Sequence, residues 1–188
     1  IQIFTSVTKS PLGLNYKNNS ENSFDTITLL SIAQLWPVET WFSRTQRALY
    51  QAEKISLIEK RYPEQLIIIQ TRSDIESIIT SRNKGEKIIG AVLGIEGLHA
   101  LDGKSNNVDT LYEAGFRIMG LHHFFDNKLG GSLHGESNAG LTTFGQEILS
   151  AMLSKDIIID LAHSSEQVVE DVLARTKTPV IISHTGFK

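Results

Sequence analysis

The sequence has 188 residues and a formal net charge of −3, with 40% hydrophobic and 21% charged residues. These values predict an ordinary globular domain and exclude a disordered chain. A mildly negative chain lacks the basic surface that binds nucleic acid or anionic membranes through charge, so we expect no nucleic-acid partner. Cysteine is absent, which excludes disulfides, thiolate nucleophiles and cysteine-ligated zinc, so that any metal site must use His, Asp and Glu.

The first residues, Ile1-Gln2-Ile3-Phe4, are neither an initiator methionine nor a signal peptide, and we expect further sequence upstream. No apolar stretch reaches the roughly 20 residues of a membrane span, so we expect no span in this chain. Short β-branched runs then alternate with segments of helical period, a pattern typical of α/β units around a parallel sheet. The predicted strands are residues 1–7, 66–70, 88–95, 116–121, 157–161 and 179–183.

Helices are predicted between these strands. One long helix spans residues 38–61, with Pro37 in its first turn, and a shorter one spans residues 108–114. Capping boxes predict two further helix starts, at Ser73 with Glu76 and at Thr143 with Gln146, and Ser164 or Ser165 caps a last helix. Residues 124–140 are rich in glycine and predict a long irregular connection.

This order of elements favours a single domain over residues 1–188, because no internal repeat or linker interrupts it. Five or six β/α units are too few to close an eight-stranded barrel, which typically needs about 250 residues. The strands nevertheless have the double-sided apolar character that such a barrel requires. The chain is therefore either a complete open sheet or a barrel that lacks some of its strands.

Polar side chains follow four of the predicted strands, at the end where parallel α/β folds place their functional residues. Each of these residues alone also has a structural interpretation, such as capping a helix or bonding a loop. Their recurrence at four strand ends favours a functional site. They are Glu96, the pair His122 and His123, His163, and His184.

His163 and His184 are 21 residues apart, which is one β/α unit. They are therefore expected to end neighbouring strands about 4.8 Å apart, so that both imidazoles reach one metal ion. With a carboxylate from another strand, this is a normal zinc donor set that activates water. Asp160 is either an inward-facing strand residue or an orienting residue behind the site, and the sequence does not decide between the two.

Other histidines have weaker claims to this site. His122 and His123 are adjacent in a strand, so at most one of them faces the cavity. His99 and His134 lie in loops, where a solvated histidine is the usual interpretation.

Several segments together resemble the renal (membrane) dipeptidase family of zinc metallopeptidases. The resemblance covers most of the chain from about residue 88 onward and includes a loop and helix start at residues 140–145. Its motifs are Gly94-Ile95-Glu96-Gly97-Leu98-His99, Leu121-His122-His123, Asp160-Leu161-Ala162-His163-Ser164 and Ser183-His184-Thr185-Gly186.

This resemblance implies a TIM-type (β/α)8 metallohydrolase barrel, of which the chain covers only part, with two zinc ions that hydrolyse dipeptides through a metal-bridging hydroxide. Glu96 matches the carboxylate that bridges both metals. His163 and His184 match the ligands of the second metal, and His123 matches the histidine that contacts the substrate. Glu96 and His123 are therefore the expected catalytic residues, a small dipeptide is the expected partner, and a homodimer is the assembly that we consider.

The chain also departs from the family pattern. A His-x-Asp pair that completes the first metal site would lie before Ile1, and the family's substrate-binding Arg and Asp would lie beyond Lys188. Leu98 replaces a usual glycine, and Thr185-Gly186 replaces Ser-Asn. Two alternatives therefore stand beside a dipeptidase: an inactive barrel used for binding, and a related amidohydrolase that acts on another small amide or a lactone.

Overall fold

The computed structural model of the protein describes residues 1–184. Within them five strands form one sheet in which every strand pair is parallel. The predicted α/β class with a parallel sheet is therefore confirmed. The strands are β1 (Gln2–Val7), β2 (Leu66–Ile68), β3 (Ile89–Glu96), β4 (Phe116–Gly120) and β5 (Ile158–Asp160).

The strand order is β1-β3-β4-β5, and β2 pairs with the first residues of β3. The register brings the last residues of four strands into one row across the sheet, in which Val7 lies opposite Glu96, Glu96 opposite Gly120, and Gly120 opposite Asp160. The loops that follow these strands therefore leave the sheet from a common edge, as expected of parallel strands.

Helices lie between the strands and supply the rest of the hydrophobic core. Strand residues such as Leu93, Phe116 and Met119 pack in one cluster with Ala48 and Leu111 from the helices, and all five are buried. The helices are α1 (Thr26–Ala33), α2 (Val38–Phe42), α3 (Arg44–Arg61), α4 (Arg72–Asn83), α5 (Asn107–Glu113), α6 (Thr143–Leu153) and α7 (Glu166–Arg175), with a 3₁₀ turn at Leu98–Leu101.

The long helix predicted over residues 38–61 is broken at Ser43, which has extended backbone angles of φ −128° and ψ 124°. The cause is Asp102, which is distant in sequence. Its carboxylate accepts hydrogen bonds from the Ser43 hydroxyl at 2.7 Å and from the Thr45 amide at 3.2 Å. These bonds satisfy donors at the start of α3 that a continuous helix would have bonded internally.

Smaller corrections concern the ends of elements. The capping box of α4 consists of Thr71 and Asp74, not of Ser73 and Glu76, and α6 is capped by Thr142 rather than Thr143. Ser165 caps α7, as one of the two predicted alternatives. The strand predicted over residues 179–183 is reduced to a single parallel bridge between Ile181 and Asp160.

Two further elements, α1 and the 3₁₀ turn, were not predicted. Among the described residues, no helix is both long enough and apolar enough to cross a membrane.

Candidate metal centre

Three of the histidines predicted from the strand ends converge on one oxygen atom of Glu96. Oε1 of Glu96 lies 2.9 Å from Nε2 of His163, 3.1 Å from Nε2 of His184 and 3.5 Å from Nε2 of His123. The two imidazoles expected to share a metal are themselves in contact, because their Nε2 atoms are 2.8 Å apart. The structure therefore brings together all of the residues that the sequence assigns to the site.

The cluster is shielded from solvent on one side and open on the other. The side chains of His123 and His163 are 7% and 9% exposed, whereas that of His184 is 53% exposed. Glu96 lies between these extremes at 19%. Its carboxylate is thus largely desolvated, with imidazole nitrogens as its nearest basic groups.

A glycine allows the chain to turn sharply after Glu96. Gly97 has φ 92°, a conformation that residues with a side chain rarely adopt. A Cβ atom at this position would lie 2.5 Å from Nδ1 of His99 and 3.1 Å from Cβ of His123. The backbone therefore packs directly against both histidines, and this contact requires glycine.

His163 is also held by its backbone. It has φ 64°, in the left-handed region, although it carries a side chain. Its carbonyl oxygen accepts hydrogen bonds from the Leu133 amide at 2.8 Å and from the Ser132 hydroxyl at 3.1 Å. The glycine-rich loop after β4 thus fixes the backbone from which the imidazole points to Glu96.

The electrostatics of the cluster favour an ionised Glu96 carboxylate and a neutral His123 imidazole. Burial by itself would raise the pKa of Glu96, but the hydrogen bond from His163 and the neighbouring imidazoles lower it below its usual value. Burial lowers the pKa of His123 to about 4, although the charge of Glu96 acts in the opposite direction. Neutral imidazoles beside an ionised carboxylate are the protonation states that bind a cation.

Two histidines that were expected to be solvated are buried instead. His99 is 4% and His134 is 5% exposed. The ring of His99 packs 4.8 Å from the ring of Phe125, and both of its nitrogens lack a partner among the described residues. Nδ1–H of His134 donates to the carbonyl of Tyr16 at 2.7 Å.

His134 is a neighbour of the site that the sequence did not reveal. Its ring centroid lies 5.1 Å from that of His163. The position of His134 in a loop suggested that its side chain is exposed to solvent. It is buried instead, because it contacts Tyr16, which lies more than a hundred residues earlier in the chain. No local pattern in the sequence carries that information.

Of the adjacent residues His122 and His123, which follow β4, only one faces Glu96, as the alternation of side chains along an extended segment predicts. His123 faces Glu96, whereas His122 is completely buried and its Nδ1 lies 3.2 Å from the hydroxyl of Ser164. Burial lowers the pKa of His122 to about 4. His122 therefore packs behind the site rather than in it.

Asp160 also lies behind the site. It is 8% exposed, and none of its hydrogen bonds is to the Glu96 cluster directly. Its carboxylate instead accepts from the backbone amides of Ala162 and Ser183 and from the Ser183 hydroxyl. The structure supports both interpretations that the sequence allowed, because Asp160 lines the cavity that Glu96 and His184 also line and its carboxylate bonds Ser183.

The donor atoms of the cluster fit a divalent metal such as zinc. Ligand atoms of Glu96, His123 and His163 all lie within 4.8 Å of one another, and His184 adds a fourth donor in contact with two of them. One carboxylate with imidazole nitrogens and no thiolate is a normal catalytic zinc set. Convergence of these groups, with no lysine or arginine of residues 1–184 paired to the carboxylate, is the observation that supports the fit.

The parallel sheet and the donor cluster at its carboxyl edge define the class of the protein as a part of an α/β barrel with a candidate metal centre. Within that class the chain belongs to the membrane dipeptidase family, peptidase family M19, whose model matches residues 12–188. Thr185 and Gly186, which belong to the last motif of the resemblance, lie outside the described residues.

Similar proteins support the same placement. Dipeptidase verJ of Clonostachys rogersoniana is 28% identical over 151 residues, which are 79% of this chain and 38% of that protein. An amidohydrolase from Pseudomonas aeruginosa matches in structure with a TM-score of 0.64 and 22% identity, over 72% of this chain and 40% of the other.

A metallopeptidase from Rhodobacter sphaeroides, solved with a phosphinate mimic of the dipeptide L-Ala-D-Ala, has a TM-score of 0.64 and 19% identity, over 73% of this chain and 39% of that one. This chain therefore spans about two fifths of the length of the relatives it matches. The structural matches confirm that the fold is part of the TIM-type barrel predicted from the sequence.

Proposed function

We propose that the protein is a zinc-dependent dipeptidase whose metal centre is built on Glu96. The observation that carries this proposal is the position of Oε1 of Glu96, which has Nε2 atoms of three histidines within 3.5 Å. Membership of the membrane dipeptidase family supports dipeptides as the substrate class. The similar dipeptidase of Clonostachys rogersoniana supports the same class.

The residues that would hold the metal are Glu96, His163 and His184, and by the family resemblance Glu96 would be shared between two ions. Bound zinc supplies acidified water and polarises the peptide carbonyl. The chain itself supplies an ionised carboxylate, because its pKa is lowered by the surrounding imidazoles despite burial. It also supplies two imidazoles whose Nε2 atoms already face each other at 2.8 Å, on the same side of Glu96.

We assign His123 to the substrate rather than to the metal. Of the three imidazoles around Glu96 it is the most distant, at 3.5 Å. Because burial lowers its pKa to about 4, His123 is neutral near pH 7 and keeps one N–H group to donate. A neutral N–H beside the metal site suits the oxygen of the scissile carbonyl, on which negative charge develops during hydrolysis.

The proposal extends to the organisation of the protein. We treat residues 1–188 as one partial barrel domain, and we expect a homodimer as the assembly. Neither statement affects the chemistry assigned to Glu96 and the histidines.

The test combines metal analysis with a substrate panel on the purified full polypeptide. We expect zinc in the isolated protein and hydrolysis of L,L and L,D dipeptides that stops when zinc is chelated and returns when it is added back. Glu96→Gln removes the charge at constant volume, and it should abolish both zinc retention and hydrolysis. The matched control Glu76→Gln alters an exposed carboxylate in α4 and should change neither.

Other outcomes would overturn the proposal in identifiable ways. Zinc-loaded protein that binds dipeptides without cleaving them would indicate an inactive barrel used for binding. Cleavage of a lactone or an acylated amino acid, but of no dipeptide, would indicate a related amidohydrolase. A wild-type protein that binds no zinc would contradict the metal centre itself.

A further inference from the structure

A chain of hydrogen bonds runs from a buried carboxylate to the far side of one proposed metal ligand. Ser183 Oγ lies 2.8 Å from Nδ1 of His184, while Nε2 of the same ring faces Glu96 and His163. Behind the serine, the carboxylate of Asp160 contacts the Ser183 hydroxyl. The three residues form a relay that ends on the ring nitrogen opposite the ligand atom.

Asp160 is fixed more firmly than the other members of the relay. Oδ1 accepts from the Ala162 amide and from the Ser183 amide, each at 3.0 Å. The residue is the last of β5 and is 8% exposed. The isolated bridge between Asp160 and Ile181 holds the backbone of the following segment alongside it. The relay is therefore anchored in the sheet.

The direction of each hydrogen bond follows from counting protons. An ionised carboxylate only accepts, so the Ser183 hydroxyl donates its single proton to Asp160. The serine oxygen can then only accept from His184, so Nδ1 of His184 must carry the proton. The Nε2 lone pair is left free and points toward Glu96, which is the tautomer that a metal requires.

We propose that Asp160 and Ser183 are positioning residues that select the metal-binding tautomer and ring orientation of His184. This inference rests on the metal centre of the proposed function, but not on the identity of the substrate. His184 depends on the relay because its side chain is 53% exposed, whereas the more buried His163 is 9% exposed. His163 also has the backbone bonds from residues 132 and 133 to hold it.

The test measures zinc affinity of the full polypeptide by competition with a chromogenic chelator. Ser183→Ala removes the acceptor for Nδ1–H and should weaken the zinc site that includes His184 by about 10- to 100-fold, the usual cost of losing an outer partner of a ligand. Ser183→Thr keeps the hydroxyl and should restore most of the affinity. The matched control Ser150→Ala removes a hydroxyl that bonds only within α6 and should have no effect.

Asp160→Asn gives a second and more specific readout. The amide oxygen replaces the acceptor of the two backbone amides, so the NH₂ group must donate to Ser183. The serine proton is then directed toward His184, which favours the wrong tautomer. We expect Asp160→Asn to lose at least as much zinc affinity as Ser183→Ala. In zinc-loaded protein labelled with ¹⁵N-histidine, the Nδ1–H resonance of His184 should be visible in the wild type and broadened by exchange in both variants.

The outcomes separate this inference from the proposed function. The relay is overturned if Ser183→Ala binds zinc as tightly as the wild type does, or if Ser183→Thr loses as much zinc affinity as Ser183→Ala. Neither result bears on the proposal that the protein hydrolyses dipeptides. Wild-type protein that binds zinc but cleaves no dipeptide overturns the substrate assignment, while the order of affinities still decides the relay. Thermal denaturation of the metal-free proteins checks that each variant is folded at the assay temperature; a loss of zinc affinity that only follows the fraction of unfolded protein would contradict the relay.

Discussion

Nε2 of His163 lies 2.9 Å from Oε1 of Glu96, although 67 residues separate them in sequence. Both residues leave the same edge of the sheet, because the last residue of β3 and the last residue of β5 lie in one row with Gly120 between them. The left-handed backbone of His163, with φ 64°, turns its imidazole back toward that edge. This pair is the centre of the site, and it sets the expectations for the variants below.

Alanine substitutions at two histidines should separate a metal ligand from a substrate contact. We expect His163→Ala to lose zinc together with activity. His123→Ala should keep its zinc and lose about 10²- to 10³-fold in kcat, the usual cost of one donor to a developing oxyanion. Zinc content and kinetics on the same preparations check this. Loss of zinc from His123→Ala would show that His123 is a ligand, which its distances to Glu96 and His163 also permit.

A buried arginine joins the segment after β1 to α2 and α3, and its loss should destabilise the fold. Arg47 is 2% exposed, pairs with Asp25, and donates to the carbonyls of Thr8 at 2.8 Å and Thr40 at 2.6 Å. Removing one partner of a buried pair leaves an uncompensated charge, so Arg47→Met should cost about 3–5 kcal/mol in free energy of unfolding.

Urea denaturation of the purified protein measures this cost, and an exposed pair supplies its control. Arg72 pairs with Glu76 within α4, with side chains 91% and 62% exposed. Arg72→Met should therefore cost about 0.3–0.5 kcal/mol. Similar losses in the two variants would contradict a structural role for the buried pair.

Stability should decrease as the pH falls from about 6.5 toward 4. Burial lowers the pKa of His122 to about 4, whereas in the unfolded chain it is about 6.5. Between these values the unfolded chain binds a proton that the folded protein does not, so stability is present at higher pH and is lost as the pH decreases. His122 should contribute a slope of up to about 1.4 kcal/mol per pH unit.

His122→Gln removes this titration and retains a side chain that can bond Ser164. The free energy of unfolding, measured with chelator present so that metal release does not contribute, should vary less steeply with pH in this variant than in wild type. Identical slopes would show that the folded protein protonates His122 as readily as the unfolded chain does.

Two glycines with similar φ angles provide a matched pair for the site. Gly97 has φ 92° and Gly85 has φ 89°, but a Cβ atom would meet His99 and His123 only at Gly97 and nothing within 4 Å at Gly85. Both alanine variants should lose stability, because residues with a side chain rarely adopt a φ near 90°. Gly97→Ala should lose more stability than Gly85→Ala and should also weaken zinc binding, because it displaces His123 and the turn after Glu96. If Gly97→Ala and Gly85→Ala changed stability and zinc affinity equally, the close packing of Gly97 against the histidines would be contradicted.

Much of the fold follows from local patterns in the sequence. Strands such as β3 are continuous apolar runs, and helices such as α7 begin at a capping serine. The sequence therefore predicted that these elements exist and in what order, and it placed their starts within one or two residues. The parallel order in turn places residues at strand ends on one edge. For this reason the strand ends predicted that Glu96, His163, His184 and one of the pair His122 and His123 lie close together, and the family resemblance selected His123 from that pair.

Long-range contacts decided what those patterns left open or predicted wrongly. Asp102 breaks the helix at Ser43 by supplying acceptors from 59 residues away, and the carbonyl of Tyr16 helps to bury His134, 118 residues later. The role of Asp160 depended on which groups face its carboxylate, and two of the three donors lie on Ser183, 23 residues further along the chain. Periodicity and capping depend on neighbours within one or two turns, whereas a hydrogen bond between distant segments exists only once the sheet has set their register.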